Sequence, residues 1–271
     1  SSWSGTQYSI PAVAGEPALA LKGWVTDATA REIVRRAGKD LDELRKAALV
    51  RGAPAVPLGI RASATLTQKV EQKVSPNVIG VLKGSNTAQA VIYTAHYDHL
   101  GQMGDGTFFP GANDNASGIS MLLTLAKYFN SHPQKYSICF IAFSGEELGL
   151  LGSKFYTEHP LFPLSQIKFL VNMDIVGTGD EGIKVVNGAV LSTDFNKLVS
   201  LNDSLHLLKS VQPRGKAANS DHYFFFEKGV SSFFIYTLGG ISAYHDVFDK
   251  AATLPLTEFD DLAKLLIAFA E

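Results

Sequence analysis

From residue 78 onward the chain alternates between short apolar runs and amphipathic stretches. The apolar runs are Val78–Leu82, Ala90–Ala95, Ile138–Phe143, Phe169–Met173 and Ser232–Tyr236. Runs of this length, almost wholly apolar, suit strands covered on both faces. Helical periodicity marks Ser117–Phe129, Glu147–Tyr156, Ser192–Leu201, His222–Lys228 and Leu256–Ala270. The alternation predicts an α/β fold: a central mixed, largely parallel β-sheet sandwiched by helices.

The first part of the chain has a different texture. Residues 1–15 are polar and punctuated by Gly and Pro, and Leu19–Val25 reads as a strand. Asp27 is placed to cap a short helix carrying Ile33 and Val34 and stopped by Gly38. Asp40 opens a second helix through Leu49. Between Arg61 and Val74, Ala62, Ala64 and Leu66 alternate with Ser63, Thr65 and Thr67, the period of a half-buried strand. The expected organisation is an appendage over 1–74 and a catalytic-sized domain over 75–271.

Composition removes several classes. The 271 residues carry 24 Lys+Arg against 26 Asp+Glu, which lacks the basic footprint of a nucleic-acid binder. No apolar run approaches the 18 or so residues of a membrane-spanning helix. A single cysteine, Cys139, rules out a disulfide framework and a thiolate metal cluster; between Ile138 and Phe140 it reads as a small core residue.

Ligands of open α/β sheets bind beyond the carboxyl ends of the strands. His96-Tyr97-Asp98-His99 follows the second apolar run, Ser144-Gly145-Glu146-Glu147 the third and Asp174 the fourth. Gly111-Ala112-Asn113-Asp114-Asn115 precedes a helix, and Tyr244-His245-Asp246 comes after the last strand. Each alone has a plain reading: Asp114 as a helix cap, Glu146-Glu147 as acids at a helix start. Together they crowd carboxylates and imidazoles at one sheet edge with almost no Lys or Arg. Unpaired, such carboxylates repel one another, and a divalent cation with N/O ligands relieves that. Gly177-Thr178-Gly179-Asp180-Glu181-Gly182 satisfies a dinucleotide fingerprint, but its acids would repel a pyrophosphate and Ile183–Val186 reads as a strand where a helix is required.

The stretches Thr94–Gly101, Gly111–Gly118, Phe143–Gly149, Asn172-Met173-Asp174 and Tyr244-His245 together resemble the M28 zinc metallopeptidases, which include bacterial aminopeptidases with two co-catalytic zinc ions. The resemblance runs in order over roughly residues 75–270. It implies a zinc exopeptidase fold of the phosphorylase/hydrolase-like kind and an enzyme that hydrolyses N-terminal residues from peptides. It also implies His96 and Asp174 on one zinc, Glu147 and His245 on the other, and Asp114 bridging both. Glu146 would be the general base, Tyr244 would polarise the scissile carbonyl, and Asp98 would orient His96 from behind. Asp221, within Ser220-Asp221-His222, would support the site or wall its pocket. A cis peptide after Asp114 is implied too. Three carboxylate ligands on two Zn²⁺ leave positive charge to hold a hydroxide.

His99 reads as structural, and His132, His159 and His206 as solvated. Aromatic residues such as Phe224, Phe225, Phe226 and Tyr236 are expected mainly in the core, with some walling an apolar substrate pocket. A carboxypeptidase or dipeptidase on the same scaffold would need a cationic clamp, for which Arg214 and Lys216 are the candidates. A single-zinc glutaminyl cyclase is the alternative outside hydrolysis, and a receptor-like protein would be expected to lack ligands. Residues 15–65 resemble the segment joining a protease-associated domain to the catalytic domain in longer members. The Ser-Ser-Trp start reads as a trimmed terminus, and family habit implies export. Oligomeric state is left open.

Overall fold

The computed structural model describes residues 26–50, 56–60 and 73–271. The expected strands at Leu19–Val25 and over most of Arg61–Val74 lie outside the described residues. The chain divides into two compact units, residues 6–72 and residues 73–271.

In the first unit, α1 (Asp27–Arg36) and α2 (Leu41–Ala48) form near their expected places. Thr26, rather than Asp27, caps α1, its side chain accepting from the Thr29 N–H. Asp27 instead lies in the first turn and pairs with Arg31 four residues on. Asp40 caps α2 by accepting from the Asp42 and Glu43 N–H groups. Arg31 also reaches both carboxylate oxygens of Asp42, tying the two helices together.

The second unit is built on a seven-stranded sheet. Its strands are β1 (Val78–Leu82), β2 (Asn86–His96), β5 (Tyr136–Phe143), β6 (Ile167–Met173), β7 (Gly182–Val186), β8 (Val211–Arg214) and β9 (Ser232–Leu238). They lie in the order β1-β5-β2-β6-β9-β7-β8. β5, β2, β6 and β9 are mutually parallel, while β1 and β7 run against their neighbours β5 and β9. Four carboxyl ends therefore meet at one edge of the sheet.

The central strands are largely apolar because both faces are packed. Val91, Tyr93, Ile138, Phe140, Phe169 and Val171 face a core shared with α3 (Gly118–Ser131), α5 (Ser192–Leu205) and α7 (Phe259–Ala270). Ile92, Cys139, Ile141 and Leu170 face a second core with Tyr156 of α4 (Leu151–Glu158) and Phe225 of α6 (His222–Glu227). Tyr93 reaches through the first core to donate its hydroxyl to the Leu266 carbonyl at 2.7 Å, so this buried phenol is not left unpaired.

Some expectations need correction. β1 is an edge strand with Val78 and Val81 more than half exposed, so it is not covered on both faces. An unexpected small hairpin, β3 (Gly101–Met103) paired with β4 (Thr107–Phe109), follows β2. β8 was not expected, since Pro213 and Arg214 break its apolar pattern. α4 starts at Leu151 rather than Glu147, because turns hydrogen-bonded to the Gly145 and Glu146 carbonyls occupy the interval. α7 starts at Phe259, because Leu256 has a left-handed φ of 53° that a helix cannot hold.

Candidate metal centre

The parallel strands deliver their ends to one place. β2 ends on His96, the turn after β5 carries Glu146 and Glu147, and Asp174 follows β6. Asp114 lies in the irregular turn Ala112–Ser117, and the peptide bond from Asp114 to Asn115 is cis. His245, in the loop after β9, has a left-handed φ of 53°.

The side chains converge closely. His96 Nε2 lies 3.2 Å from Asp174 Oδ1 and 3.3 Å from Asp114 Oδ1. His245 Nε2 lies 3.2 Å from Asp114 Oδ2 and 3.1 Å from Glu147 Oε2. Asp114 therefore turns one oxygen to each imidazole. The five residues proposed from the resemblance as ligands form two triads that share one carboxylate. Ligand atoms on a tetrahedral zinc with bonds near 2.0 Å stand about 3.3 Å apart, so these separations suit a zinc-sized ion. Among the described residues, no Lys or Arg pairs with these carboxylates.

Three neighbouring residues, Asn113, Asn115 and Ser117, brace Asp114. Asn113 Oδ1 accepts from the Gly177 N–H at 2.8 Å. Asn115 donates to the Met173 carbonyl at 3.0 Å and accepts from the Gly118 N–H at 2.9 Å. Ser117 Oγ accepts from the Val176 N–H at 3.0 Å. From the far side, Asp249 accepts from the backbone N–H groups of Asn113 and Asp114. Asp249 was missed in the sequence; its one signal is its position four residues after His245.

Asp174 has its own support. Thr94 donates to Asn172, Asn172 to Ser220, and Ser220 Oγ to Asp174 Oδ2 at 2.8 Å. That chain leaves Asp174 Oδ1 free to face His96. The sequence marked the 220–222 segment, but the residue that touches a candidate ligand is Ser220. Asp221, next to it, is fully buried with neither oxygen hydrogen-bonded, and burial pushes its carboxyl up to about 7.

Asp98 meets His96 through its backbone. Its backbone carbonyl, not its carboxylate, faces His96 Nδ1 at 3.1 Å. The carboxylate is 3.8 Å from that nitrogen and instead accepts from the Glu146 and Glu147 N–H groups at 3.1 and 3.2 Å. One residue thus links the loop after β2 to the loop after β5.

A cavity of about 150 Å³ opens on this centre, lined by Asp114, Glu146, Asp174, Ile175, Asn219, Phe234, Tyr236, Tyr244 and His245. Tyr244 is exposed and stacks on His245, with ring centroids 3.9 Å apart. Burial, together with the nearby Asp174, Asp221 and Glu147, raises the Glu146 carboxyl to about 9, against the pull of His96. His96 is itself buried, which disfavours its charge, yet Asp174 and Asp114 hold its pKa well above the ordinary value. Both shifts are upward and mark a centre with surplus negative charge, where a cation is favoured. Phe224–Phe226 do not act as a block: Phe225 is core, while Phe234 and Tyr236 of β9 wall the cavity.

Fold and site define a metallopeptidase-like α/β unit, and the chain belongs to Peptidase family M28, whose profile matches residues 77–270. It is 34% identical over 204 residues to Aminopeptidase YwaD of Bacillus subtilis (strain 168), covering 67% of this chain and 42% of that protein. Its fold matches a crystal structure of BSAP, a zinc aminopeptidase from Bacillus subtilis, with a TM-score of 0.62 and 30% identity, covering 71% of this chain and 48% of the other. A glutaminyl cyclase from an Acidobacteriales bacterium shares the fold with a TM-score of 0.61 at 20% identity, covering 72% of each chain. The chain spans less than half the length of the two Bacillus relatives.

Proposed function

We propose that residues 75–271 are the catalytic unit of a zinc aminopeptidase that removes N-terminal residues from peptides. The observation that carries this reading is the sharing of Asp114, with Oδ1 towards His96 and Oδ2 towards His245. In this reading His96 and Asp174 hold one zinc ion, Glu147 and His245 the second, and Asp114 both. When bound, the pair of ions supplies an acidified water and positive charge for the oxyanion of the tetrahedral intermediate.

The chain's own residues do the rest. Glu146 is the neighbour of a ligand but takes no part in the close triads, so its carboxylate is free to take a water proton and pass it to the leaving amine. Asp98 holds Glu146 by its backbone N–H, which keeps the base beside the centre. Tyr244, which stacks on His245 and lines the cavity, would donate to the scissile carbonyl in this reading. Asp221 backs the site from within the fold. Carboxylates among the lining residues suit a substrate ammonium group, and among the described residues no Lys or Arg lines the cavity to clamp a substrate carboxylate. This favours an aminopeptidase over a carboxypeptidase or dipeptidase. Ile175, Phe234 and Tyr236 favour an apolar N-terminal side chain.

Metal analysis and hydrolysis of leucine p-nitroanilide test the reading together. Two zinc ions per chain and release that stops with a chelator and returns with zinc are expected. One zinc ion, with cyclisation of N-terminal glutamine and no amide hydrolysis, would point to the cyclase chemistry instead.

A further inference from the structure

We propose that His99 is a further ligand of this centre, binding the ion assigned to Glu147 and His245. The inference rests on the reading of the site as a zinc centre. His99 Nδ1 lies 2.8 Å from Glu147 Oε1 and 3.9 Å from Asp114 Oδ1. Its ring meets the His245 ring edge-on, with centroids 5.9 Å apart. Potential ligand atoms of His99, Asp114 and Glu147 all fall within 4.8 Å of one another, as do those of His96, Asp114 and Asp174.

Two further observations point to a ligand rather than a packed ring. The His99 side chain is only 9% exposed, yet neither ring nitrogen makes a hydrogen bond, and neither does Glu147 Oε1. A cation beside them gives both a partner. The seat of the ring is also built for close approach. Gly111 has a left-handed φ of 65°, and a Cβ there would fall 2.6 Å from His99 Cγ and 2.5 Å from the Asp114 carbonyl oxygen. Any side chain at 111 would push His99 or the bridging residue aside.

The consequence is an asymmetric pair. One ion would be held by a single imidazole with Asp174 and Asp114, the other by two imidazoles with Glu147 and Asp114. Neutral nitrogen donors suit zinc, so the two-imidazole position fills first and empties last.

The test uses the full chain with His99→Ala and His99→Asn, zinc binding followed by chelator competition. Loss of a partner that only orients a ligand costs about 10–100-fold in metal affinity. Loss of a ligand is expected to weaken the tighter zinc step by more than that in both variants. Wild-type affinity in both variants, or in His99→Asn alone, overturns the proposal, because Asn keeps an N–H for Glu147 but not an imidazole. A measurement on unaltered protein decides if the variants fail to fold. Loaded with Co²⁺, it should show three strongly shifted exchangeable imidazole N–H protons, from His96, His99 and His245. Two such protons overturn the assignment of His99 alone. A wild-type chain that takes up no divalent ion overturns the zinc reading and this inference together.

Discussion

Asp249 grips Asp114 by its backbone. Its Oδ2 accepts from the Asp114 N–H at 3.0 Å, while Oδ1 accepts from the preceding N–H at 2.7 Å. The carboxylate is 1% exposed, so both bonds are made away from water. Asp249→Ala leaves two buried N–H groups unpaired, each at a cost of about 1–3 kcal/mol. The expected result is a fall in unfolding free energy of several kcal/mol at most, with loss of zinc. Denaturant unfolding and metal analysis of the variant check it, and wild-type values for both would dismiss the role.

Ser220 acts on the metal centre through Asp174, whose Oδ2 takes its hydroxyl hydrogen bond. Ser220→Ala frees Asp174 to rotate and leaves Asn172 without its acceptor. Zinc affinity is expected to fall about 10–100-fold, read by competition with a chelator of known strength. An unchanged affinity would show that Asp174 is held by its backbone alone.

Glu146→Gln keeps the shape and the backbone hydrogen bond to Asp98 but removes the base. A fall in kcat of about 10²–10⁴ is expected for loss of general acid–base catalysis, at unchanged zinc content. Full turnover in this variant is incompatible with the proposed proton transfer.

His222 couples stability to pH. Burial pulls its pKa down to about 4, more strongly than backbone hydrogen bonds to Ala217 and Ser220 raise it. An unfolded histidine titrates near 6.5, so between about 6.5 and 4 the unfolded chain binds the extra proton. Stability is therefore full above that window and declines as pH falls through it, by about 3 kcal/mol at the limit. Urea midpoints of the wild type and His222→Gln at pH 7.5 and 5 test this. The variant should lose less on acidification, which separates His222 from the other histidines titrating in the same range.

The sheet was readable because burial on both faces leaves a local mark. Ile138–Phe143 is apolar at each position since Phe140 and Ile141 enter opposite cores. Edge strands carry no such mark, so β8 was not expected and β1 was expected to be more covered than it is. The ligand types were likewise visible as reactive residues just past strand ends. Their supports were less so. Asn113, Asn115 and Ser117 look like ordinary loop residues, and only the approach of the 173–177 segment turns them into a brace for Asp114.

The sequence alone determined an α/β chain with His96, Glu146, Glu147 and Asp174 just past strand ends, Asp114 ahead of a helix and His245 after the last strand, because strand period and loop chemistry are local properties. Tertiary structure decided how those residues are held. Asp98 turns its carbonyl to His96 and its carboxylate to Glu146 and Glu147. His99 comes against Glu147, and Asp249 against Asp114, across 48 and 135 positions of chain. Which of two acceptors on one residue meets a given donor depends on strand register and loop path. No local pattern of hydrophobic and polar positions encodes that choice.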